Sequence, residues 1–535
     1  MSETTVLVVG GGPAGLAMAA QLGRFGVDCT LIERRAHVNG HPRARSVNVR
    51  TAELFRQWGI LDDVVAASLP LPWTEALVYT ETLAGREIGR TAMAVQPVVD
   101  GVQVSPAPWL LSSQDRIEPL LEQLAGGYDT VRVRRGVLLE DLQVTPDGVR
   151  ASLGGPTGTE RIDARWVVAA DGAASAVRRA IGVRLDGPTE LATLVNCQFV
   201  ADLDRWTASR PAALYWTTAP ARNVFQKIDT AHRWLCQIGY DPRVDPADSF
   251  TADKAADWIR RSVGVADLEV RVLDVIPWVM AATVAERFRR GPVFLVGDAA
   301  HQLPPSGGFG MNTAVQDTHN LAWKLAYVAR GRAGDHLLDT YHTERAPIAR
   351  YNADRSLENT RNVGRIRKLV EGGAADPAAE QQAIDAAGRY GNWLGMDLGL
   401  HYDEGCLVPD GSEPLPVDDP VRDYRPQARP GHRAPHVPMG TAGGSMLDLY
   451  DDRFVLLLGS ALRAPQPPGV ESQAVLRVEP LAAVAQDRVA ELERAHGITA
   501  TGAVLVRPDG HVAWRRPVGA TPDAASAVLD GLLRG

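Results

Sequence analysis

Three groups of residues have the types and spacing that hold a phosphorylated cofactor. Gly10, Gly12 and Gly15, with Pro13 and Ala14 between the last two, form a GxGxxG pattern between the apolar run Val6–Val9 and an Ala- and Leu-rich stretch, Pro13–Phe25. Such glycines allow a tight turn and close backbone approach. The helix that follows offers unpaired N–H groups and partial positive charge to a pyrophosphate, and an acid further on accepts from a ribose hydroxyl. Glu33, closing the run Asp28–Glu33, is placed to be that acid. Two further apolar runs, around Trp166–Ala170 and Val293–Val296, end in Asp171-Gly172 and Gly297-Asp298. An Asp at a strand end can accept from polyol hydroxyls, although a lone one more often caps a helix. The third group, Pro304 to Asn312 with Gly307, Gly308 and Gly310, leads into a long helical stretch, so backbone N–H groups around Met311 and Asn312 face whatever sits at its amino end.

These groups need elements to carry them. Strand and helix signals alternate at the start of the chain, which reads as a βαβ unit of a parallel sheet. Residues 190–280 read instead as longer strands with turn punctuation, a separate and mostly antiparallel sheet. The expected division is a discontinuous α/β domain over 1–185 and 280–370, a β-sheet domain over 186–279, a linker over the Gly-, Pro- and Asp-rich stretch 371–440, and a βαββα unit over 441–535 with Asp509-Gly510 at a hairpin turn.

Composition narrows the class. With 535 residues, 45% of them hydrophobic and 22% charged, the chain is an ordinary globular multidomain protein. A net charge of -8 gives no polyanion-binding surface, hence no nucleic-acid partner. The apolar run at 4–22 has no positive segment before it and reads as fold, not as a secretion signal, and no stretch is long enough for a membrane span. The cysteines, Cys29, Cys197, Cys236 and Cys406, are scattered and form no CxxC, which fits a reduced, cytoplasmic chain. No histidine cluster, His301 included, has metal-ligand spacing, so no metal is expected.

With HPRARSVNVRT, which carries Arg43 and Arg45, and SSQDRIEPLL, which carries Gln114, these motifs occur in an order that resembles the class A FAD-dependent aromatic monooxygenases, the para-hydroxybenzoate hydroxylase-like family, over most of residues 5–360. The tail resembles the thioredoxin-like C-terminal domain of longer actinobacterial members that oxidise aromatic polyketides. Residues 440–535 contain no Cys, which excludes thiol–disulfide exchange there. The resemblance implies an α/β fold: a Rossmann-like FAD-binding domain, an inserted, mostly antiparallel β-sheet substrate domain and a C-terminal thioredoxin-like domain. It implies non-covalent FAD held by Gly10, Gly12, Pro13, Ala14, Gly15, Glu33, Arg34, Arg43, Arg45, Gln114, Asp171, Gly172, Asp298, Gly310, Met311 and Asn312. Arg45 would sit near the pyrophosphate with Arg43 assisting, while Pro304, Gly307, Gly308, Met311 and Asn312 would position the flavin.

NADPH or NADH would bind transiently, because no second GxGxxG follows a strand. The implied reaction hydroxylates a polycyclic aromatic phenol or quinone with O2 through a flavin C4a-hydroperoxide, in a monomer or homodimer. Substrate would lie between the middle sheet and the flavin, with Tyr215, Phe225, Trp234, Gln237 and Tyr240 as candidate contacts; no acid or base is named. The same chemistry could lead to epoxidation, Baeyer-Villiger insertion or ring rearrangement. A NAD-dependent dehydrogenase and a non-catalytic flavin-binding partner are the alternatives of other classes.

Overall fold

The computed structural model describes residues 2–38, 40–156, 158–218, 223–371, 377–386, 391–440, 443–463 and 474–535. Its first sheet has parallel strands in the order Val131–Arg135, Cys29–Glu33, Ser2–Val9, Gly158–Ala169 and Val293–Leu295. Val6, Leu7 and Val8 point to alternating faces and are all fully buried, as a strand covered on both sides requires. The helices Pro13–Arg24, Gln114–Gly126 and Phe309–Ala329 pack against one another over this sheet. The expected long helical stretch is two helices, Phe309–Ala329 and His336–Glu371, broken at Gly331, whose φ of +67° ends the first.

A second sheet runs in the order Arg271–Met280, Ala192–Val200, Arg233–Gly239, Asn223–Lys227, Leu214–Thr217, Ala76–Thr80 and Glu87–Ala92. All its pairs are antiparallel except Leu214–Thr217 with Ala76–Thr80. Two of its strands therefore come from inside the segment assigned to the first domain, so 1–185 does not belong to that domain throughout. Residues 76–80 are buried throughout, and an apolar run carries no mark of the sheet it will join.

The expected linker over 371–440 is also corrected, apart from 372–376 and 387–390, which lie outside the described residues. Pro377–Ala386 packs on the edge strand Glu87–Ala92, and Leu394–Gly399 packs on the helix Val49–Gln57. Trp393, Met396, Leu398, Val421 and Tyr424 are buried in one cluster with Trp109, Trp216 and Phe309. Gly and Pro interrupt the periodicity that marks regular elements, but they do not prevent the apolar residues between them from entering a core.

The C-terminal strands are ordered Leu476–Pro480, Phe454–Leu458, Ala503–Val506 and Val512–Arg516, the first pair parallel and the others antiparallel. The hairpin turn at Asp509-Gly510 forms, with Gly510 at a φ of +76°, yet Asp509 is buried instead of solvated. It accepts from Arg507 Nε at 3.0 Å, while the Arg507 guanidinium meets both oxygens of Glu344 at 2.8 Å. Lys324 Nζ reaches the same Glu344 at 2.7 Å, and the Arg507, Lys324 and Glu344 side chains are fully buried. Burial alone would push the Glu344 carboxyl up, but Arg507 and Lys324 hold it at about 2. This cluster pins the C-terminal sheet to the helices at 309–329 and 336–371. Replacing Arg507 by Met leaves Asp509 and half of Glu344 uncompensated, so it should lower stability by about 3–5 kcal/mol, read by urea unfolding followed through tryptophan fluorescence.

Candidate functional site

The strand Ser2–Val9 ends at Gly10, whose φ is +111° and whose N–H donates to the Ile32 carbonyl at 2.8 Å. A β-carbon on Gly10 would collide with the Ala170 carbonyl, and one on Gly15 would overlap the carbonyl of Gly10. At Gly12, by contrast, a β-carbon would meet nothing within 4 Å. The turn is therefore closed toward the protein and open on the side a ligand would take. Gly12 caps the helix Pro13–Arg24 without a side-chain acceptor, and Pro13 has no N–H to lose, so Ala14 and Gly15 present the first donors of that helix. Glu33 stands beside them: it accepts from Gly11 N–H at 2.7 Å and Arg35 N–H at 2.9 Å, with a second lone pair left on each oxygen. Arg34 is exposed just beyond it.

The two acidic turns lie against this loop. The helix Ala176–Ala180 is capped by Ser175, whose hydroxyl accepts from Arg178 N–H at 2.9 Å, so Asp171 is not its cap, although one Asp171 oxygen accepts from Val177 N–H at 3.1 Å. The other, Oδ1, is buried and has no hydrogen-bond partner among the described residues. Gly172 has a φ of +82°. Gly297, at φ +58°, sits where a β-carbon would stand 3.1 Å from Ala14 Cβ and 3.0 Å from Ala314 Cβ. Asp298 thus follows a turn set against the first turn of the helix Pro13–Arg24 and the second turn of the helix Phe309–Ala329. Its side chain is solvent-accessible although protein surrounds it, the mark of a cleft, and it accepts no hydrogen bond from any described residue. Loss of solvation raises its carboxyl above the ordinary range, against the pull of His301 and Arg43. Arg178, which the motif reading did not single out, joins the two turns by donating to Ala299 O at 2.9 Å and Ala173 O at 2.8 Å.

The second helix begins at Phe309, not near 312, with Gly308 as its cap at φ +70°. The free donors are accordingly those of Phe309, Gly310 and Met311. A β-carbon on Gly308 would come within 2.7 Å of Ser46 Cβ, so this turn must pass close to the segment that carries Arg43 and Arg45. Pro304 is buried in the approach to it, and Gly307 has a φ of +117°. Asn312 faces inward: its Oδ1 accepts from Asn48 N–H at 3.0 Å, and its Nδ2 donates to Ser46 O at 2.9 Å and Gly308 O at 2.8 Å.

Several expected roles move. Arg45 is buried and spends its guanidinium on the middle sheet, on Gln226 Oε1 at 2.7 Å, Lys227 O at 3.1 Å and the Ala213 carbonyl. Arg43 is the exposed one, with no ion pair to a described residue, and it lies within electrostatic reach of Asp298. Gln114 opens the helix Gln114–Gly126; its N–H donates to Ala44 O at 2.7 Å and its side chain to Glu118 at 2.6 Å. His301 is structural, fully buried and 2.7 Å from Asp317.

Of the five substrate candidates, Tyr215, Phe225 and Trp234 are fully buried on the face turned away from the cleft, in a core with Ile259 and Val263, and Tyr240 packs edge-on to Phe250 at 4.9 Å on that side. Only Gln237 lies on the other face. Strand period two makes this all-or-none: register places Ile276, Asn196, Gln237, Val224, Trp216 and Tyr79 in one row across that face. Trp216 shares a buried cluster with Phe309, which brings the row to the first turn of the second helix. Asp202, Asp204 and His232 are a possible metal-ligand group among the described residues, but Lys227 Nζ already sits 2.6 Å from Asp204.

An orphaned acceptor on Asp171, a donor-free carboxylate on Asp298 and two helix amino ends at one cleft fit a ligand that carries both hydroxyls and a pyrophosphate. Fold and site together define a dinucleotide-binding protein of the flavin type. Residues 3–356 match the FAD binding domain model and residues 427–534 the C-terminal domain of aromatic-ring hydroxylases, so the chain belongs to the FAD-binding aromatic-ring hydroxylases and is an FAD-dependent monooxygenase. It is 36% identical to a putative polyketide hydroxylase of Streptomyces halstedii, over 95% of this chain and 93% of that one. It also resembles the flavin-dependent monooxygenase PieE, solved in complex with FAD and substrate, with a TM-score of 0.89 at 32% identity over 99% of both chains. Aklavinone-11 hydroxylase, solved as a ternary complex with FAD and aklavinone, gives a TM-score of 0.85 at 31% identity over 100% of this chain and 99% of that one. No helix among the described residues is long and apolar enough to cross a membrane.

The two outer glycines of the turn should respond differently to substitution. Gly10→Ala should destabilise the protein even without cofactor, by about 1–3 kcal/mol or more, because the strain is internal. Gly12→Ala should change unfolding by less than about 1 kcal/mol, yet weaken cofactor uptake, which apoprotein melting and FAD titration would separate.

Proposed function

We propose that this monooxygenase hydroxylates a polycyclic phenol or quinone of the polyketide type, taking electrons from NADPH or NADH. The observation that carries the cofactor half is Asp298, a carboxylate left without a donor directly after a turn set against the early turns of two helices. In this reading Asp298 and Asp171 Oδ1 accept from FAD hydroxyls, Glu33 takes the adenosine ribose, and Ala14 and Gly15 N–H groups take the pyrophosphate. Arg43, not Arg45, is the arm that reaches the pyrophosphate, since the donors of Arg45 are engaged elsewhere. The bound FAD supplies the activation of O2 and the transfer of one oxygen atom. The donors of Gly310 and Met311, at a helix amino end, stabilise negative charge at the pyrimidine rim of the ring system.

The substrate half rests on the row across the middle sheet. From Ile276 to Val224 it crosses four strands, about 14 Å at the usual spacing and wider than one ring. The side chain of Gln237, half-buried in this row, makes no hydrogen bond to a described residue, so its amide is available to a substrate hydroxyl or carbonyl. The aromatic and aliphatic neighbours keep water away from the reacting ring. Two relatives have been solved with both FAD and a substrate bound, which supports a site that takes the two together. The strand order of the C-terminal unit, with its parallel first pair, supports a thioredoxin-like fold. Lacking Cys, it serves by holding the two long helices in place.

Asp298→Ala should weaken FAD binding by about 10- to 100-fold, the loss of one or two hydrogen bonds to a charged acceptor; unchanged occupancy would remove Asp298 from the site. Gln237→Leu should leave FAD occupancy alone and raise KM for polycyclic phenols, measured as substrate-stimulated NADPH consumption. Oxygen-18 in a product hydroxyl separates hydroxylation from insertion or rearrangement.

A further inference from the structure

The helix Leu394–Gly399, in a stretch that reads as a linker, carries a buried carboxylate into the centre of the molecule. Asp397 accepts from the Asn48 side chain at 3.0 Å and from Val49 N–H at 3.2 Å, so it closes the amino end of the helix Val49–Gln57 from a position far along the chain. Asn48 in turn donates its backbone N–H to Asn312 at 3.0 Å, and Asn312 holds Ser46 O and Gly308 O. An unbroken run of hydrogen bonds therefore leads from Asp397 to the glycine cap whose helix presents Gly310 and Met311.

We propose that Asp397 is a positioning residue for the flavin, fixing through Asn48 and Asn312 the turn at Gly308 that sets the free N–H groups of the second helix. The proposal rests on the FAD reading above.

Its ionised form is the one the geometry uses. Two donors point at two carboxylate oxygens, and a helix amino end favours the negative charge. A proton on either oxygen would face a donor and break one link. Burial nevertheless pushes the carboxyl up to about 7, against the bonds from Val49 and Asn48 and with Glu53 adding to the rise. Asp397 lines a small internal cavity together with Arg50 of the 49–57 helix, His319 of the 309–329 helix, Arg345 of the 336–371 helix, and Tyr402, Arg433, Asp509 and His511 from the C-terminal part. Loss of solvation lowers His319 and His511, and burial raises Tyr402. Against burial, Arg433 holds Glu53 down and Arg507 holds Asp509 down, while Glu53 keeps Arg433 charged and Asp317 keeps Arg345 charged. Within this cavity Asp397 is the carboxylate that burial brings toward neutrality.

For a carboxyl raised in the folded state, the native protein takes up the proton first as pH falls, so protonation does not unfold the chain; it relaxes the link. FAD affinity of the apoprotein, measured by fluorescence titration between pH 5.5 and 8.5, should drop about fivefold on the acid side with a midpoint near 7, the worth of about one hydrogen bond. Asp397→Asn should bind FAD at the acid-side affinity throughout, with no step. Asn48→Ala, which removes one donor to the ionised form, should move the step to higher pH and carries the test if Asp397→Asn fails to fold. Leu398→Ala, a packing change on the same helix, should weaken the apoprotein to heat but keep the step. A step that survives in Asp397→Asn, or its absence in the wild type, overturns the proposal. Wild-type protein that takes up no FAD at any pH overturns the cofactor reading itself, and the positioning role with it.

Discussion

The missing β-carbon of Gly297 is the constraint on which the site depends. With Ala14 and Ala314 β-carbons about 3 Å from where its own would be, any other residue would press on the first turn of the helix Pro13–Arg24 and the second turn of the helix Phe309–Ala329, which frame the cleft. Their proximity gathers partial positive charge from two macrodipoles in one place, and that charge favours acceptors and anions there. Asp298 follows directly in the chain and enters that field without a donor of its own, so the backbone makes the site and the side chain completes it.

Segment 41–49 brings the layers of the molecule to this point. On one side it grips the middle sheet: His41 Nδ1 lies 2.8 Å from Asp274, and Arg45 is bonded along the strands Leu214–Thr217 and Asn223–Lys227 or their margins. On the other it is held by Asn312 and Asp397. Between these fixed ends Arg43 alone keeps an exposed guanidinium. The buried ion pairs of the C-terminal sheet act one shell further out. Arg507 ties that sheet to Glu344, Lys324 with Glu344 and Arg345 with Asp317 set the two long helices against each other, and Asp317 accepts from Gly297 N–H at 3.3 Å. The C-terminal domain thereby reaches the cleft through charge packing, with no redox group of its own.

What was legible in the chain follows from the range of each signal. A GxGxxG followed by a helix and an acid is short-range information: the turn, the cap and the adjacent strand lie within about thirty residues, and the structure forms them as read. The same holds for Asp509-Gly510 as a hairpin. Arg43 and Arg45 show the limit. Two arginines two residues apart on an irregular segment differ only in what lies over them, and the strand that takes Arg45 is supplied from beyond residue 210. Likewise Asp397 sits among Gly, Pro and Asp residues that suggest a loop, and its partners are at 48 and 49.

The sequence by itself determined which segments form the glycine turns and the acidic strand ends, that one mostly antiparallel sheet stands apart from a parallel one, and that the tail contains no thiol, because these depend on local backbone freedom, periodicity and residue type. Only the tertiary structure decided which face of the middle sheet meets the cleft. A strand shows its alternation in sequence but not its sign, and packing against the helix Ala252–Val263 sent Tyr215, Phe225 and Trp234 into a core and left Gln237 on the open side.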